Sequence, residues 1–320
     1  MSAPTMRAVG VTRAGGPDVL AVVEVPLPVP RPGQVRIRVH AAGVNPADFG
    51  IRELGDRGIM SGPPPWVPGM DAAGTVDLVG EGVSRLAAGD RVMAIVSPFG
   101  TRTGAQAEYV IVPEDSAVVI PDGLSMARAA TLPMNGLTAT VALRHLALEP
   151  GDVLAVTGGA GYLASYAIPL AKERGLEVVA DAAPSEAELV RSYGADRVVE
   201  RGPGLADRLR EAYPDGVAAV LDAASVGGGI LPAIRSGGEV LVVTMWQDGT
   251  ERDIRITPLR VGEYAKDREG LESVADAARR GVLVPRIVGD VGPEAVGDAH
   301  RAMAARGVRG RYVVRFAEGD

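Results

Sequence analysis

The chain has 320 residues, 47% of them hydrophobic, which is enough for substantial cores; single cores stop growing near about 250–300 residues, so two domains are expected. A formal net charge of −7, from 33 basic and 40 acidic residues, argues against a general nucleic-acid surface, which needs clustered Lys and Arg to displace counterions. The absence of cysteine excludes disulfides, thiol nucleophiles and thiolate zinc sites.

The first residues, MSAPTMRAVG, lack the apolar core of a secretory signal, and no run approaches the roughly 18 apolar residues that span a bilayer. A cytoplasmic protein with no membrane or nucleic-acid partner is expected. From Met6 to about Ile120 the chain alternates short apolar segments with turns: Ala21–Val25, Gln34–Ala42, Gly74–Val79, Arg91–Val96 and Ala107–Val112. Proline- and glycine-rich stretches divide them, PLPVPRPG at Pro26–Gly33 and SGPPPWVPG at Ser61–Gly69. This predicts a compact, mostly β domain over residues 1–124, without internal repeats.

Beyond Leu124 the texture changes. Helical patterns cover Ser125–Ala130 and Leu137–Leu146, and strands are predicted at Val153–Thr157, Glu177–Ala180, Arg197–Val199, Val217–Leu221 and Glu239–Thr244 with helices between them. Strands alternating with helices imply βαβ units and a parallel, doubly wound sheet, placed at residues 125–265. Asp267–Arg279 reads as a further helix, and Val282–Val288 and Arg311–Phe316 return to strand character. Residues 266–320 are therefore expected to go back to the N-terminal domain. Glu239–Thr244 or Asp253–Val261 is the expected edge for a homodimer.

The most informative stretch is Val153–Ala164, VLAVTGGAGYLA. An apolar strand runs into Gly159, Gly161 and Ala164, a G-x-G-x-x-A spacing, and a helix over Ser165–Arg174 follows, stopped by Gly175. Such a turn lets main-chain N–H groups and the positive helix end face a pyrophosphate. A tight βα turn with no ligand would also use these glycines. The context favours a dinucleotide: a second strand follows, and Asp181 stands 20 positions beyond Gly161. Pro169, inside the helix, predicts a kink, because it lacks the N–H that would bond Ser165.

These segments together resemble the zinc-free quinone oxidoreductase (zeta-crystallin-like) branch of the medium-chain dehydrogenase/reductase superfamily. The matching pieces are GPDVL (Gly16–Leu20), AAGVNPAD (Ala41–Asp48), VPGMDAAGTV (Val67–Val76), GDRV (Gly89–Val92), AEYV (Ala107–Val110), LPMNGLTA (Leu132–Ala139), VTGGAG (Val156–Gly161), GAD (Gly194–Asp196) and VRGRYVV (Val308–Val314). The resemblance implies an α/β protein, a GroES-like β domain plus a Rossmann-type doubly wound domain with the active site between them. It also implies NAD(P)H as cofactor and hydride transfer to a quinone or to the β-carbon of an enone, without metal.

Carried over by position, Asn45 and Thr138 are expected near the nicotinamide, and Gly159, Ala160, Gly161, Tyr162 and Leu163 beneath the pyrophosphate. Val226 and Thr244 are expected along the nicotinamide side, with Arg311 reaching a cofactor phosphate. The resemblance favours NADPH, whereas DAAPSEAE at Asp181–Glu188 puts a carboxylate where a ribose 2′-hydroxyl is welcome and a 2′-phosphate is not. Arg191 or Arg201 would restore positive charge, so the choice stays open. Candidate proton donors are Tyr162, Asp48, Arg52 and Tyr264, with solvent as the alternative. His40, His145 and His300 are scattered and read as structural or solvated. Met60, Pro63–Pro65 and Trp66 either line a substrate mouth or pack as a loop. Tyr162, Pro169 and Asp181 depart from the family pattern, which leaves an alternative: a cleft rebuilt for a non-redox cyclisation or dehydration.

Overall fold

The computed structural model describes residues 4–58, 60–98, 100–246, 248–305 and 307–317. The chain forms two compact units. One holds the chain as far as Met134, then Gly262–Arg279 and the stretch from Pro285 on; the other holds Asn135–Val261 and Arg280–Val284.

The first unit opens with an antiparallel pair, β1 (Thr5–Val11) and β2 (Leu20–Pro26). β3 (Gln34–Gly43) follows, then helix α1 (Pro46–Leu54), β4 (Asp71–Val79), β5 (Arg91–Ile95), β6 (Tyr109–Pro113), β7 (Ala117–Val119) and the short helix α2 (Met126–Ala129). β3 explains the sheet's two faces. Its Val35, Ile37 and Val39 are buried, while Arg36, Arg38 and His40 alternate with them at more accessible positions, the period of two that a half-buried strand requires. The inward residues pack with Val76, Val92, Val110 and Val112. Ser125 caps α2, its Oγ accepting from Arg128 N, and α2 packs on β3 and β4. That packing keeps the chain in the first unit past the limit at 124 expected from sequence.

In the second unit, α3 (Pro133–His145) leads to β8 (Val153–Thr157), α4 (Ala164–Glu173), β9 (Glu177–Ala182), α5 (Ala187–Ser192), β10 (Arg197–Glu200), α6 (Leu205–Ala212), β11 (Val217–Asp222), β12 (Ile234–Val242) and β13 (Arg255–Pro258). The six strands are parallel in the order β10-β9-β8-β11-β12-β13. Strands buried on both faces read as continuous apolar runs, which is why VLAVT and VAAVLD show no alternation. The chain steps outward from β8 through β9 to β10, then restarts at β11 on the other side. The switch point, where open α/β sheets bind ligands, therefore lies between β8 and β11.

The return to the first unit brings α7 (Arg268–Arg279), β14 (Ile287–Val291), α8 (Val296–Ala304) and β15 (Arg311–Arg315). β15 pairs antiparallel with β3, giving the order β14-β15-β3-β4-β5-β7. The first of these strands starts at Ile287, later than the expected Val282, and the second at Arg311.

Of the two expected edges, Glu239–Thr244 is interior, because β12 is hydrogen-bonded on both sides, and Asp253–Val261 contains the edge strand β13. Helix α1, which the mostly β reading omitted, buries only Asp48, Ile51 and Arg52, two of them charged, so no apolar stripe announced it. Among the described residues no helix is long and apolar enough to cross a membrane.

α4 continues unbroken across Pro169. Replacing an interior proline restores one main-chain hydrogen bond and removes a ring clash. Pro169→Ala is expected to raise stability by about 1–3 kcal/mol in denaturant unfolding; an unchanged or lower midpoint would show that the surrounding packing already compensates for the ring.

Candidate active site

The turn after β8 is built by its own backbone. Gly161 N donates to Gly158 O (2.7 Å), Ser165 N to Gly161 O (3.1 Å), and Ser165 Oγ to Tyr162 O (2.7 Å), so the chain is already coiling when α4 begins at Ala164. Position 159 has no room for a side chain: a Cβ there would stand 2.7 Å from Asp181 O and 2.8 Å from Ala180 Cβ. Glycine is thus required by the neighbouring strand. The amides of Ser165, Tyr166 and Ala167 donate back to Gly161 O and Leu163 O, so the turn itself stands at the positive end of α4, where an anionic diphosphate fits. Ala160 is buried and Leu163 half-buried.

Asp181 lies inside β9, which runs two residues beyond its predicted end. Its Oδ1 accepts from Gly158 N (2.5 Å) and Gly159 N (3.4 Å), tying β9 to the turn. Burial pushes its carboxyl above the ordinary range, against the pull of those amides and of Arg201. Arg201 itself lies 3.6 Å from Glu186 Oε2, while Arg191 is exposed.

At the ends of β11 and β12, Asp222 gathers a loop. Its Oδ1 accepts from Thr157 Oγ1 (2.6 Å), Ala224 N (3.3 Å) and Val226 N (3.1 Å), and its Oδ2 from Gly227 N (3.1 Å). Ala224 N also donates to Thr157 Oγ1 (3.1 Å), linking this loop to the end of β8. Ser225 takes φ 58°, and its Oγ donates to Thr244 Oγ1 (3.0 Å). Val226 and Thr244, both expected to face a cofactor, thus sit on adjoining loops at the carboxyl ends of the strands. Thr138 is buried in α3. The strand-end loop Asp222–Val226 is expected from sequence at the ligand-binding edge of the sheet, but the part played by the Asp222 and Thr157 side chains is not; the signal for it is a polar residue closing each apolar strand.

The first unit contains a fully buried polar cluster. Asn45 precedes α1, and Asp48 Oδ2 reaches back to accept Asn45 N (2.8 Å), as an acidic residue at the third helical position does. Asp48 Oδ1 accepts from Gly69 N (3.0 Å), and Gln106 Nε2 lies 3.3 Å from Oδ2. Asn45 Nδ2 donates to Asp71 Oδ2 (2.7 Å), Met134 N donates to Asp71 Oδ1 (2.6 Å), and Arg311 Nε donates to Asn45 Oδ1 (2.9 Å). Burial pushes Asp48 up to about 7 against the amides of Asn45 and Gly69, and Asp71 up to about 6 against the Met134 amide and Asn45. Asp71 and Gln106 were missed by the sequence reading.

Three of the four expected proton donors, Asp48, Arg52 and Tyr162, are engaged with other protein groups. Asp48 is completely buried and its oxygens hold α1 in place. Arg52 is 3% exposed; it donates to Gly15 O (2.9 Å) and Glu53 Oε1 (2.8 Å) and lies 5.6 Å over the Phe49 ring. The Tyr162 hydroxyl meets that of Tyr166 (2.6 Å), with ring centroids 4.9 Å apart. Met60 and Trp66 pack with Val11 and Ile51 in the core, whereas Pro63 and Pro64 between them are exposed. His300 is buried 5.2 Å from Phe49, and burial together with Arg52 lowers it to about 4; His40 Nε2 lies 3.3 Å from Thr75 Oγ1. Among the described residues no group of three or more His, Asp or Glu is placed to hold a metal ion.

Comparison with known proteins matches the Alcohol dehydrogenase GroES-like domain to residues 31–122. The quinone oxidoreductase of Sus scrofa is 30% identical over 333 residues, covering 97% of this chain and 97% of its own. The 2-methylene-furan-3-one reductase of Solanum lycopersicum is 34% identical over 246 residues, covering 75% of this chain and 62% of its own. A solved quinone oxidoreductase from Coxiella burnetii superposes with a TM-score of 0.84 at 27% identity, covering 98% of this chain and 100% of that one.

The buried carboxyls give a signed pH dependence. With folded values of about 7 and about 6, Asp48 and Asp71 bind protons that the unfolded chain has released, so their contribution is complete below about pH 4 and lost as pH rises through 6 and 7. His300, lowered to about 4, acts oppositely: its contribution is complete above about pH 6.5 and lost as pH falls through 4. Denaturant unfolding is expected to show stability falling between about pH 4 and 7, and Asp48→Asn should flatten that decline. Equal slopes for both proteins would contradict the assignment.

Proposed function

We propose that this chain, which belongs to the medium-chain dehydrogenase/reductase superfamily in its quinone oxidoreductase branch, is a nicotinamide-dependent oxidoreductase that reduces a quinone or an α,β-unsaturated carbonyl compound. The observation that carries this reading is the turn at Gly158–Ala164, set beside the switch point of a parallel sheet, where main-chain N–H groups and a helix end converge. No cysteine is present to hold a thiolate zinc, so a metal-free reaction is assigned.

In this reading the amides of Ala160, Tyr162 and Leu163 hold the diphosphate, in a turn closed by the Gly161 amide, and Asp181 holds the adenosine ribose. Asn45, Thr138, Val226, Thr244 and Arg311 serve the nicotinamide end. When bound, the nicotinamide supplies hydride to the substrate. The chain's own part is to bind and orient. Since Tyr162, Asp48 and Arg52 are engaged with other protein groups, the proton that completes reduction is assigned to solvent. A homodimer contact is assigned to β13, which is left at the sheet edge.

We assign NADH as the preferred cofactor. Asp181 Oδ1 is engaged by glycine amides, which leaves Oδ2 to accept a ribose hydroxyl, and a 2′-phosphate brought there meets negative charge. Arg201, the nearby cation, is shared with Glu186.

Fluorescence titration is expected to give at least about tenfold tighter binding of NADH than NADPH, about 1.4 kcal/mol, with Asp181→Ser narrowing the ratio. Gly161→Asp should abolish binding of both, because it brings a carboxylate against the diphosphate. The reduced cofactor followed by absorbance should be consumed on adding small quinones and enones. Binding of neither dinucleotide would overturn the functional reading, and a tighter NADPH complex would overturn the preference alone.

A further inference from the structure

A cavity of about 390 Å³ lies within the first unit and is lined by none of the residues given a part in cofactor binding. Its size falls within the range of about 300–1,000 Å³ typical of small-molecule sites. β6 supplies one wall. Val110 and Val112 pack into the core, so Ile111 and Pro113, two apart on the strand, share the opposite, half-buried face. Gln34 stands across from Pro113 in the β3–β6 ladder and so shares that face. The returning chain at residues 262–266 contributes a second wall that includes Ala265, and Ser97, just beyond β5, a third.

These walls carry donors that nothing in the protein uses. Gln34 Oε1 accepts Arg31 N (3.0 Å), which fixes the amide with its NH₂ at the other end, and among the described residues that NH₂ has no acceptor. Ser97 is half-buried and its hydroxyl makes no hydrogen bond to a described residue. Lys266 is exposed, and its ammonium forms no ion pair or hydrogen bond with a described residue. Ser116, 1% exposed, adds a hydroxyl with no partner, an arrangement that is costly while the wall beside it stays unoccupied. Glu263, the carboxylate among the described lining residues, is engaged with another protein group.

We propose that this cavity binds a small monocarboxylate with an apolar body. Its carboxylate pairs with Lys266, Ser97 and Gln34 supply further donors, and its body lies against Ile111, Pro113 and Ala265. The chemistry follows from what the walls offer. A hydrocarbon leaves the donors unpaired, and a small inorganic anion leaves the apolar face without a partner. The lining holds one ammonium and one carboxylate, so a single negative charge is matched by Lys266, whereas a phosphate carrying nearly two also meets Glu263. Neither dinucleotide nor hydride transfer enters this proposal, so it stands or falls apart from the functional reading above.

The test is calorimetric titration of the full chain with benzoate and hexanoate, set against benzamide and inorganic phosphate. At least one carboxylate is expected to bind saturably with a Kd at or below about 1 mM, and benzamide and phosphate at least about tenfold more weakly. No saturable binding of either carboxylate would overturn the proposal. So would phosphate or benzamide binding as tightly as the carboxylates, since the match to a single charge on an apolar body would then be wrong.

The place of binding is read in two ways. Lys266→Gln changes an exposed side chain, so unfolding should match wild type while carboxylate affinity falls about tenfold. Amide hydrogen exchange of the unaltered protein, with and without the saturating carboxylate, should slow at residues 111–116 and 262–266. Wild-type affinity in Lys266→Gln would overturn the proposal, as would protection confined to the β8–α4 turn, because the carboxylate would then be occupying the diphosphate position instead.

Discussion

Main-chain N–H groups in a loop folded against a core must find acceptors, and in this protein aspartates supply them where the candidate site is built. Asp181 accepts from Gly158 and Gly159, Asp222 from Ala224, Val226 and Gly227, Asp48 from Asn45 and Gly69, and Asp71 from Met134. Each ties an irregular segment to the end of a regular element. A carboxylate suits this task because it has two oxygens and no donor of its own, so one side chain can fix two amides at once. The cost is desolvation, visible in Asp48, Asp71 and Asp181, whose carboxyls are all pushed above their ordinary range by burial.

That arrangement separates holding from binding. In the second unit, the glycine turn and the Asp222 loop meet through Thr157, which accepts from Ala224 and donates to Asp222. The carboxyl ends of β8 and β11 are thereby fixed on either side of the switch point. In the first unit, Asn45 is held by its own backbone N–H and by both ends of its side chain. Groups restrained in this way lose little conformational freedom when a ligand arrives, which is the general advantage of a preorganised site.

Much of this was legible in the sequence, and the limits have physical causes. The parallel sheet could be read because strands covered on both faces are continuous apolar runs separated by helical patterns, and the phosphate turn because its glycines follow such a run. The interior position of β12 could not, since an apolar run looks the same at an edge and in the middle; only the short RITP strand beyond it decides the matter. Asp181 lies within β9 rather than after it, and its Oδ1 accepts from the glycine amides, a contact that spacing alone does not show. Asp71 and Gln106 were missed because burial of a polar side chain depends on partners far away in sequence: Arg311 stands 266 positions from Asn45. The hydroxyl contact of Tyr162 with Tyr166, four residues on, is not marked by any pattern in the sequence.

The account stands on main-chain amides at the β8–α4 turn gripping a diphosphate. Amide hydrogen exchange, measured residue by residue with and without saturating NADH, addresses that contact without relying on any variant. Slowed exchange is predicted at residues 160–164, in the turn and the first positions of α4. Unchanged exchange there, with protection appearing elsewhere on the chain, would contradict it.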